Sequence, residues 1–286
     1  MSENGTFNKL LKSIKSNDNR SFSCYLRRAR VINAILLQKL GKNTLVKVPL
    51  FNGQNMNVIT GETVSKNLIA FGYTEIALTA LMLKKLNAGD TFVDIGTHYG
   101  YEALVASSIV GQTGTVYSFE PNPISYGIAK RNIKQHNSIL YNYAVGDYNG
   151  TAKMRSNAIN ESAFNSIAND VDSDNLIDVR IVTLDTILKD RKKAVNFIKC
   201  DVEGFELQVL KGAKEIIDND KPLIVLEADM PTNNMPSERA LVLQDYMKNL
   251  GYNAYNFDLL QGELKIDTLG SFPIGHANIL FQPVQL

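Results

Sequence analysis

Three carboxylates in this chain stand where a run of apolar residues ends. Asp94 lies in Val93-Asp94-Ile95-Gly96-Thr97-His98-Tyr99-Gly100, Glu120 follows Val116-Tyr117-Ser118-Phe119, and Asp201 follows Phe197-Ile198-Lys199-Cys200. In the first segment Gly96 lets the backbone turn tightly and approach a ligand, and Gly100 lets the next helix pack on the strand. Such a turn alone is common in α/β proteins. Glu120 sharpens it, because a carboxylate some twenty residues past a glycine turn can accept from both ribose hydroxyls of a nucleoside.

The loop chemistry then separates two nucleoside cofactors. A dinucleotide site uses Gly-x-Gly-x-x-Gly to bring a pyrophosphate to a helix N-terminus, and this chain has Thr97 and His98 where the second glycine is needed. Asp94 would repel a pyrophosphate but can accept from the ammonium of a methionine moiety. S-adenosylmethionine therefore fits better than NAD. Methyl transfer from it is an in-line displacement in which proximity and orientation carry most of the barrier reduction. A hydroxyl acceptor also gains from a nearby base, for which Asp201 is the first candidate, with Glu203 and His98 behind it. Glu203 and Glu206 also suit a helix start, where acidic side chains complement the dipole. Glu227 and Asp229, after Leu223-Ile224-Val225-Leu226, offer an alternative in which they join Asp201 around a divalent cation. Strand-end carboxylates are also commonly satisfied by loop backbone, so no residue is assigned as a metal ligand. His136 and His276 lack zinc-type spacing.

The elements that must position these groups follow from periodicity. From Tyr73 onward helices and strands alternate, which implies parallel strands joined by right-handed crossovers. Helices are expected over 76–86, 101–110, 123–135, 205–217 and 239–250. Strands are expected over 91–95, 115–119, 138–144, 179–184, 195–200 and 222–227, with three more at 252–257, 263–266 and 277–281. Runs such as Phe92-Val93 and Leu223-Ile224-Val225-Leu226 are apolar on both faces, as in strands between two helical layers. Ahead of this, 6–16 and 20–41 have helical spacing, and 45–60 reads as a hairpin turning at Asn52-Gly53. Residues 1–72 are thus an N-terminal helical and hairpin extension, and 73–286 the main domain. The polar stretch 155–175 reads equally as a surface loop or as a lid over substrate.

Together the segments VDIGTHYGYEAL, YSFEPNP, NYAVGDYNGTAKM, VTLDTIL, FIKCDVEGFELQVLKGA and LIVLEAD resemble, in order, the FkbM family of class I methyltransferases. The resemblance spans about Tyr73 to Phe281. It implies a Rossmann-like α/β fold, a seven-stranded mostly parallel sheet with its last strand antiparallel. It also implies methyl transfer from S-adenosylmethionine, typically to a hydroxyl of a sugar or another small molecule. Carried over by residue, Gly96, Thr97, His98, Tyr99 and Gly100 cradle the methionine part, and Glu120 holds the ribose. Pro121 and Asn122 shape the rim by the adenine, and Tyr143 and Ala144 lie along its edge. Asp94 at the glycine turn and Asp201 at the end of its own strand are placed at the same crevice by their positions in the sequence. The family more often has a small residue or Asn where this chain has His98, so the resemblance gives that side chain no special role.

Composition limits the alternatives. A chain of 286 residues, 44% hydrophobic and 21% charged, can bury a large core. Net charge is +1, but residues 1–50 hold ten Lys/Arg against two Asp/Glu. That basic arm reads first as a solvated face and second as a surface for an acidic partner. It lacks the aromatic interleaving of a nucleic-acid surface, so no nucleic-acid partner is expected. Cys24 and Cys200 do not form a disulfide framework, and neither a secretory signal nor a long apolar span is visible, so a soluble cytoplasmic protein is expected. The rival functions are a nicotinamide-dependent oxidoreductase, which Thr97 and His98 in place of the second glycine disfavour, and a non-catalytic cofactor-binding module.

Overall fold

The chain is described by a computed structural model covering residues 3–18, 29, 31–32, 35–36, 43–155, 166–167, 175–228, 238–268 and 277–284. Its elements run α1 (Glu3–Asp18), β1 (Leu45–Pro49), β2 (Asn55–Ile59), α2 (Thr63–Phe71), α3 (Ile76–Lys85), β3 (Thr91–Ile95), α4 (Tyr101–Val110), β4 (Thr115–Phe119) and α5 (Pro123–Asn132). They continue as β5 (Ser138–Tyr141), β6 (Ala144–Val145), β7 (Gly150–Arg155), β8 (Ser166–Ile167), β9 (Leu176–Val182), α6 (Leu184–Ile187), β10 (Phe197–Cys200), α7 (Glu206–Lys211) and α8 (Lys214–Asp220). The last are β11 (Leu223–Ala228), α9 (Glu238–Asn249), β12 (Tyr252–Leu260), β13 (Glu263–Thr268) and β14 (Ala277–Pro283).

Apolar runs without a polar face have to be covered on both sides, and here they form the centre of one sheet. Its order is β13-β12-β14-β11-β10-β3-β4-β5. The five strands β5, β4, β3, β10 and β11 are parallel, and β14 inserts antiparallel between β11 and β12. This is the α/β arrangement expected of a Rossmann-like class I methyltransferase fold, with one addition. The turn at Gln261-Gly262 folds β13 back on β12, so the sheet has eight strands where the resemblance implied seven. Two hydrophobic layers flank it. On one side Leu78, Leu81, Leu104 and Val105 pack on Phe92 and Phe197, and on the other Val209, Ile216, Leu243 and Met247 pack on Val93 and Ile198.

The extension joins the first layer. Val48, Met56 and Val58 of the hairpin and Leu68 and Ile69 of α2 belong to the same buried cluster as α3 and α4. Phe7 and Leu10 of α1 pack on Ala80 and Leu83. Helix α2 was not among the sequence expectations. It is capped by Glu62, whose carboxylate accepts from the backbone N–H of Val64 and Ser65.

Two other expectations change. The single strand over 138–144 divides, since β5 ends at Tyr141 and β6 crosses into a small second sheet of order β6-β9-β7-β8. The single helix over 205–217 breaks into α7 and α8 at Gly212, which presses on the preceding loop so tightly that a β-carbon would lie 1.8 Å from the Gly146 carbonyl oxygen. Most of 20–41, most of 155–175, Cys24, Asp229 and His276 lie outside the described residues. Among the described residues no helix is long and apolar enough to cross a membrane.

Candidate active site

The carboxyl ends of β3, β4 and β10 open into one pocket enclosing about 960 Å³ of empty space, its solvent-filled mouth included. This is where ligands bind in open α/β sheets. Of the residues expected there, Gly96, Thr97, His98, Tyr99, Glu120, Pro121, Tyr143, Ala144, Asp201 and Glu203 line it. Asp94, Gly100 and Asn122 stand behind the lining. Gly100 faces Ile133 of the segment after α5, and the Asn122 side chain caps α5 by accepting from the N–H of Ile124 and Ser125.

Glu120 is fixed from both sides. One carboxylate oxygen accepts from the His98 N–H at 2.9 Å and the other from the Asn122 N–H at 2.8 Å. Burial pushes its carboxyl up to about 8, against the pull of those two N–H donors. His98 holds a left-handed backbone (φ 50°) that aims its N–H at Glu120. Its ring lies on that of Tyr99, centroids 3.7 Å apart. Enclosure by protein lowers the imidazole to about 4, with Glu62 opposing the shift, so it is a poor proton acceptor at neutral pH. Next to Glu120 the rings of Phe119, Tyr141 and Tyr143 stack in sequence. The Arg180 guanidinium lies 4.4 Å from the Tyr143 centroid and donates to its hydroxyl at 3.1 Å.

Beneath the glycine turn lies Lys199, buried at 3% exposure inside β10. Its ammonium donates to the Gly96 carbonyl at 3.3 Å and to Asp201 at 3.2 Å, and lies 4.0 Å from Asp94. Asp94 accepts from the Thr97 hydroxyl at 2.5 Å, while burial raises its carboxyl pKa despite Lys199. Asp201 goes the other way. Burial raises it, but Lys199 and a hydrogen bond from Glu227 outweigh that and hold it below the usual carboxylate range. Glu227 is driven up to about 10 by burial and by the anion it faces, so it carries the shared proton. Oxygens of Asp201, Glu203 and Glu227 lie within 4.8 Å of one another, close enough to share a cation. Glu206 serves the scaffold instead. It is fully buried, accepts from the N–H of Val202 and Gly204, and pairs with Arg239.

Several lining residues escaped the sequence expectations. Lys199 is one, signalled only by a lysine inside an otherwise apolar strand. Tyr101 and Glu102 of α4, together with Glu75 before α3, are others. Burial lifts the Glu102 carboxyl to about 8, and the Tyr101 hydroxyl lies 3.1 Å from that of Thr79. Met56, Val64 and Leu68 bring the extension into the pocket wall, and Ile167 brings part of the polar 155–175 stretch.

Residues 94–254, more than half of the chain, match the family described as Methyltransferase FkbM domain. The chain belongs to the FkbM methyltransferase family. Among relatives, this FkbM-family chain is 24% identical over 148 residues to the hexuronic acid methyltransferase AglP of Haloferax volcanii, covering 51% of this chain and 59% of that protein. It thus spans under two thirds of that relative's length. Among solved structures it is similar to an FkbM methyltransferase of Methylobacillus flagellatus (16% identity, TM-score 0.46, 77% of this chain and 52% of that one). It is also similar to the Aeropyrum pernix fibrillarin solved with S-adenosyl-L-methionine (16% identity, TM-score 0.45, 71% and 73%).

Proposed function

We propose that this FkbM-family chain transfers a methyl group from S-adenosylmethionine to a hydroxyl of a sugar or another small molecule, in the pocket at the ends of β3, β4 and β10. The observation that carries this reading is Glu120. Its carboxylate lines the pocket one strand over from the glycine turn, oriented by two backbone N–H groups and with lone pairs left for a pair of ribose hydroxyls. The rest of the lining fits the same cofactor. Tyr143 and Ala144 form an apolar edge beside Glu120 for an adenine. On the other side the lining carboxylates Glu75, Glu102 and Asp201 outnumber the lining cation Lys199, which suits a ligand bearing positive charge.

When bound, the cofactor supplies an electrophilic methyl group on a positively charged sulfur. Gly96, Thr97, His98 and Tyr99 would hold its methionine part and Glu120 its ribose. Asp201, anionic at neutral pH and reaching the pocket, orients the acceptor hydroxyl and takes its proton as the new bond forms. A carboxylate held this low is a modest base, so proximity supplies most of the acceleration. A sugar acceptor is supported by the name of the archaeal relative and by a pocket mouth that carries carboxylates for hydroxyl groups.

Calorimetry with S-adenosylhomocysteine and NAD tests the cofactor. Micromolar binding of the first and none of the second is expected, whereas the reverse result assigns a nicotinamide enzyme. Methyl-labelled cofactor offered with a panel of uronic acids and neutral sugars tests the acceptor. Label in none of them removes the sugar assignment, and label in any of them excludes a non-catalytic module.

A further inference from the structure

Lysine is among the side chains least often fully buried, and a pocket for a cationic sulfonium is a costly place for one. Lys199 nonetheless lines this pocket at 3% exposure. Its place is dictated by the sheet. β10 lies between β3 and β11, and in the β10–β3 pairing the Cα of Lys199 is opposite that of Asp94. Asp94 on β3 and Asp201 at the end of β10 lie 4.0 and 3.2 Å from its ammonium, and Glu102 on α4 and Glu75 before α3 line the same pocket. The Gly96 carbonyl and Asp201 bind it directly. An ammonium so surrounded stays protonated and cannot swing away, so it is a fixed charge beside the glycine turn.

We infer that Lys199 is a specificity-determining residue that sets the charge balance of the pocket, holding down its preference for the positively charged sulfonium cofactor over the neutral thioether product. The inference rests on the S-adenosylmethionine reading above. Charges several ångströms apart in a largely water-excluded site interact strongly enough to change a binding ratio by about tenfold. The two ligands differ by the transferred methyl group and its positive charge, and the methyl contacts are the same in every variant, so a ratio that moves when Lys199 is replaced reports the charge term.

The test is calorimetric, at one pH near neutrality, with the full chain. Dissociation constants for S-adenosylmethionine and S-adenosylhomocysteine are compared in the wild type, Lys199→Met and Lys199→Arg. In Lys199→Met the ratio of product to cofactor dissociation constants is expected to rise about tenfold, while Lys199→Arg keeps the wild-type ratio even where both affinities fall. A purely structural lysine weakens both ligands together and leaves the ratio in Lys199→Met unchanged, which overturns the inference. Should Lys199→Met fail to fold, Asp201→Asn and Lys199→Met/Asp201→Asn are compared, the latter leaving neither charge of the pair behind. The ratio is expected to be about tenfold higher in the double variant than in Asp201→Asn, and equal ratios overturn the inference. A wild-type chain that binds neither ligand removes the cofactor reading itself, a result distinct from an unmoved ratio.

Discussion

A β-carbon at Gly96 would lie 1.9 Å from the main-chain carbonyl oxygen of Asp201. The glycine turn after β3 and the loop after β10 are therefore packed backbone to backbone, with Lys199 bonded to both. Gly96 also sits at φ 80°, a region L-residues rarely adopt. The sequence suggested a glycine kept clear for a ligand, and the structure, in which Gly96 lines the pocket, adds a second reason in the neighbouring loop. Gly96→Ala is accordingly expected to destabilise the whole fold by about 3 kcal/mol from overpacking and strain together. Urea denaturation checks this, and wild-type stability combined with lost S-adenosylhomocysteine binding would restore the ligand-only role.

Glu120→Ala is expected to weaken S-adenosylhomocysteine binding by about 1–3 kcal/mol, the cost of leaving the two ribose hydroxyls without their partner in the pocket. Unchanged affinity in calorimetry would remove the ribose assignment.

The same carboxylate predicts a pH effect on the ligand-free protein. Its folded value is raised from 4.5 to about 8. Within that window the folded state keeps a proton that the unfolded state has lost, so the group makes stability fall as pH rises. Glu120→Gln removes that contribution. The Tm of Glu120→Gln minus that of the wild type should therefore grow from pH 5 to pH 8, and a flat difference would show that Glu120 is ionised throughout.

How much of this was legible in the sequence depends on how local each cause is. The parallel strands were, because Phe92-Val93 and Leu223-Ile224-Val225-Leu226 leave no polar face. Glu120 and Asp201 were, because a carboxylate closing such a run has few structural reasons to be there. Lys199 was hidden by the same logic, since a strand read as apolar absorbs one lysine, and two of its three partners, Asp94 and Gly96, lie about a hundred residues away. The break at Gly212 has its cause in Gly146, and α2 owes its start to a Glu62 cap and its place to Leu68 packing on the sheet layer. None of these is a periodic signal. The pocket residues Met56 and Leu68 are invisible for the same reason, as only the tertiary fold brings the extension to the strand ends.

Glu206 and Arg239 supply a stability prediction. Removing the carboxylate by Glu206→Ala takes the buried anion away from the Arg239 guanidinium, which is 30% exposed, and from the N–H groups of Val202 and Gly204. Breaking a buried pair costs about 3–5 kcal/mol, and the partial exposure of Arg239 places this one near the lower end. Guanidinium denaturation should show the loss, whereas a change under about 1 kcal/mol would class the pair with surface ion pairs.

Asp201→Asn addresses the chemistry. The amide keeps the size of the side chain but cannot take a proton, so the single-turnover rate of methyl transfer should fall by about 100-fold or more, the usual contribution of a positioned base. Affinity for S-adenosylhomocysteine should change less than in Glu120→Ala, since Glu120 is the residue set to hold the ribose. The two variants thus separate binding from transfer on neighbouring strands. Measurement requires saturating labelled cofactor and whichever sugar accepts the methyl group from the wild type. A single-turnover rate equal to that of the wild type would remove Asp201 as the base and leave proximity within the pocket to carry the reaction. Loss of activity restored by added Mg²⁺ would instead assign Asp201 to a cation site with Glu203 and Glu227, whose oxygens lie within 4.8 Å of its own.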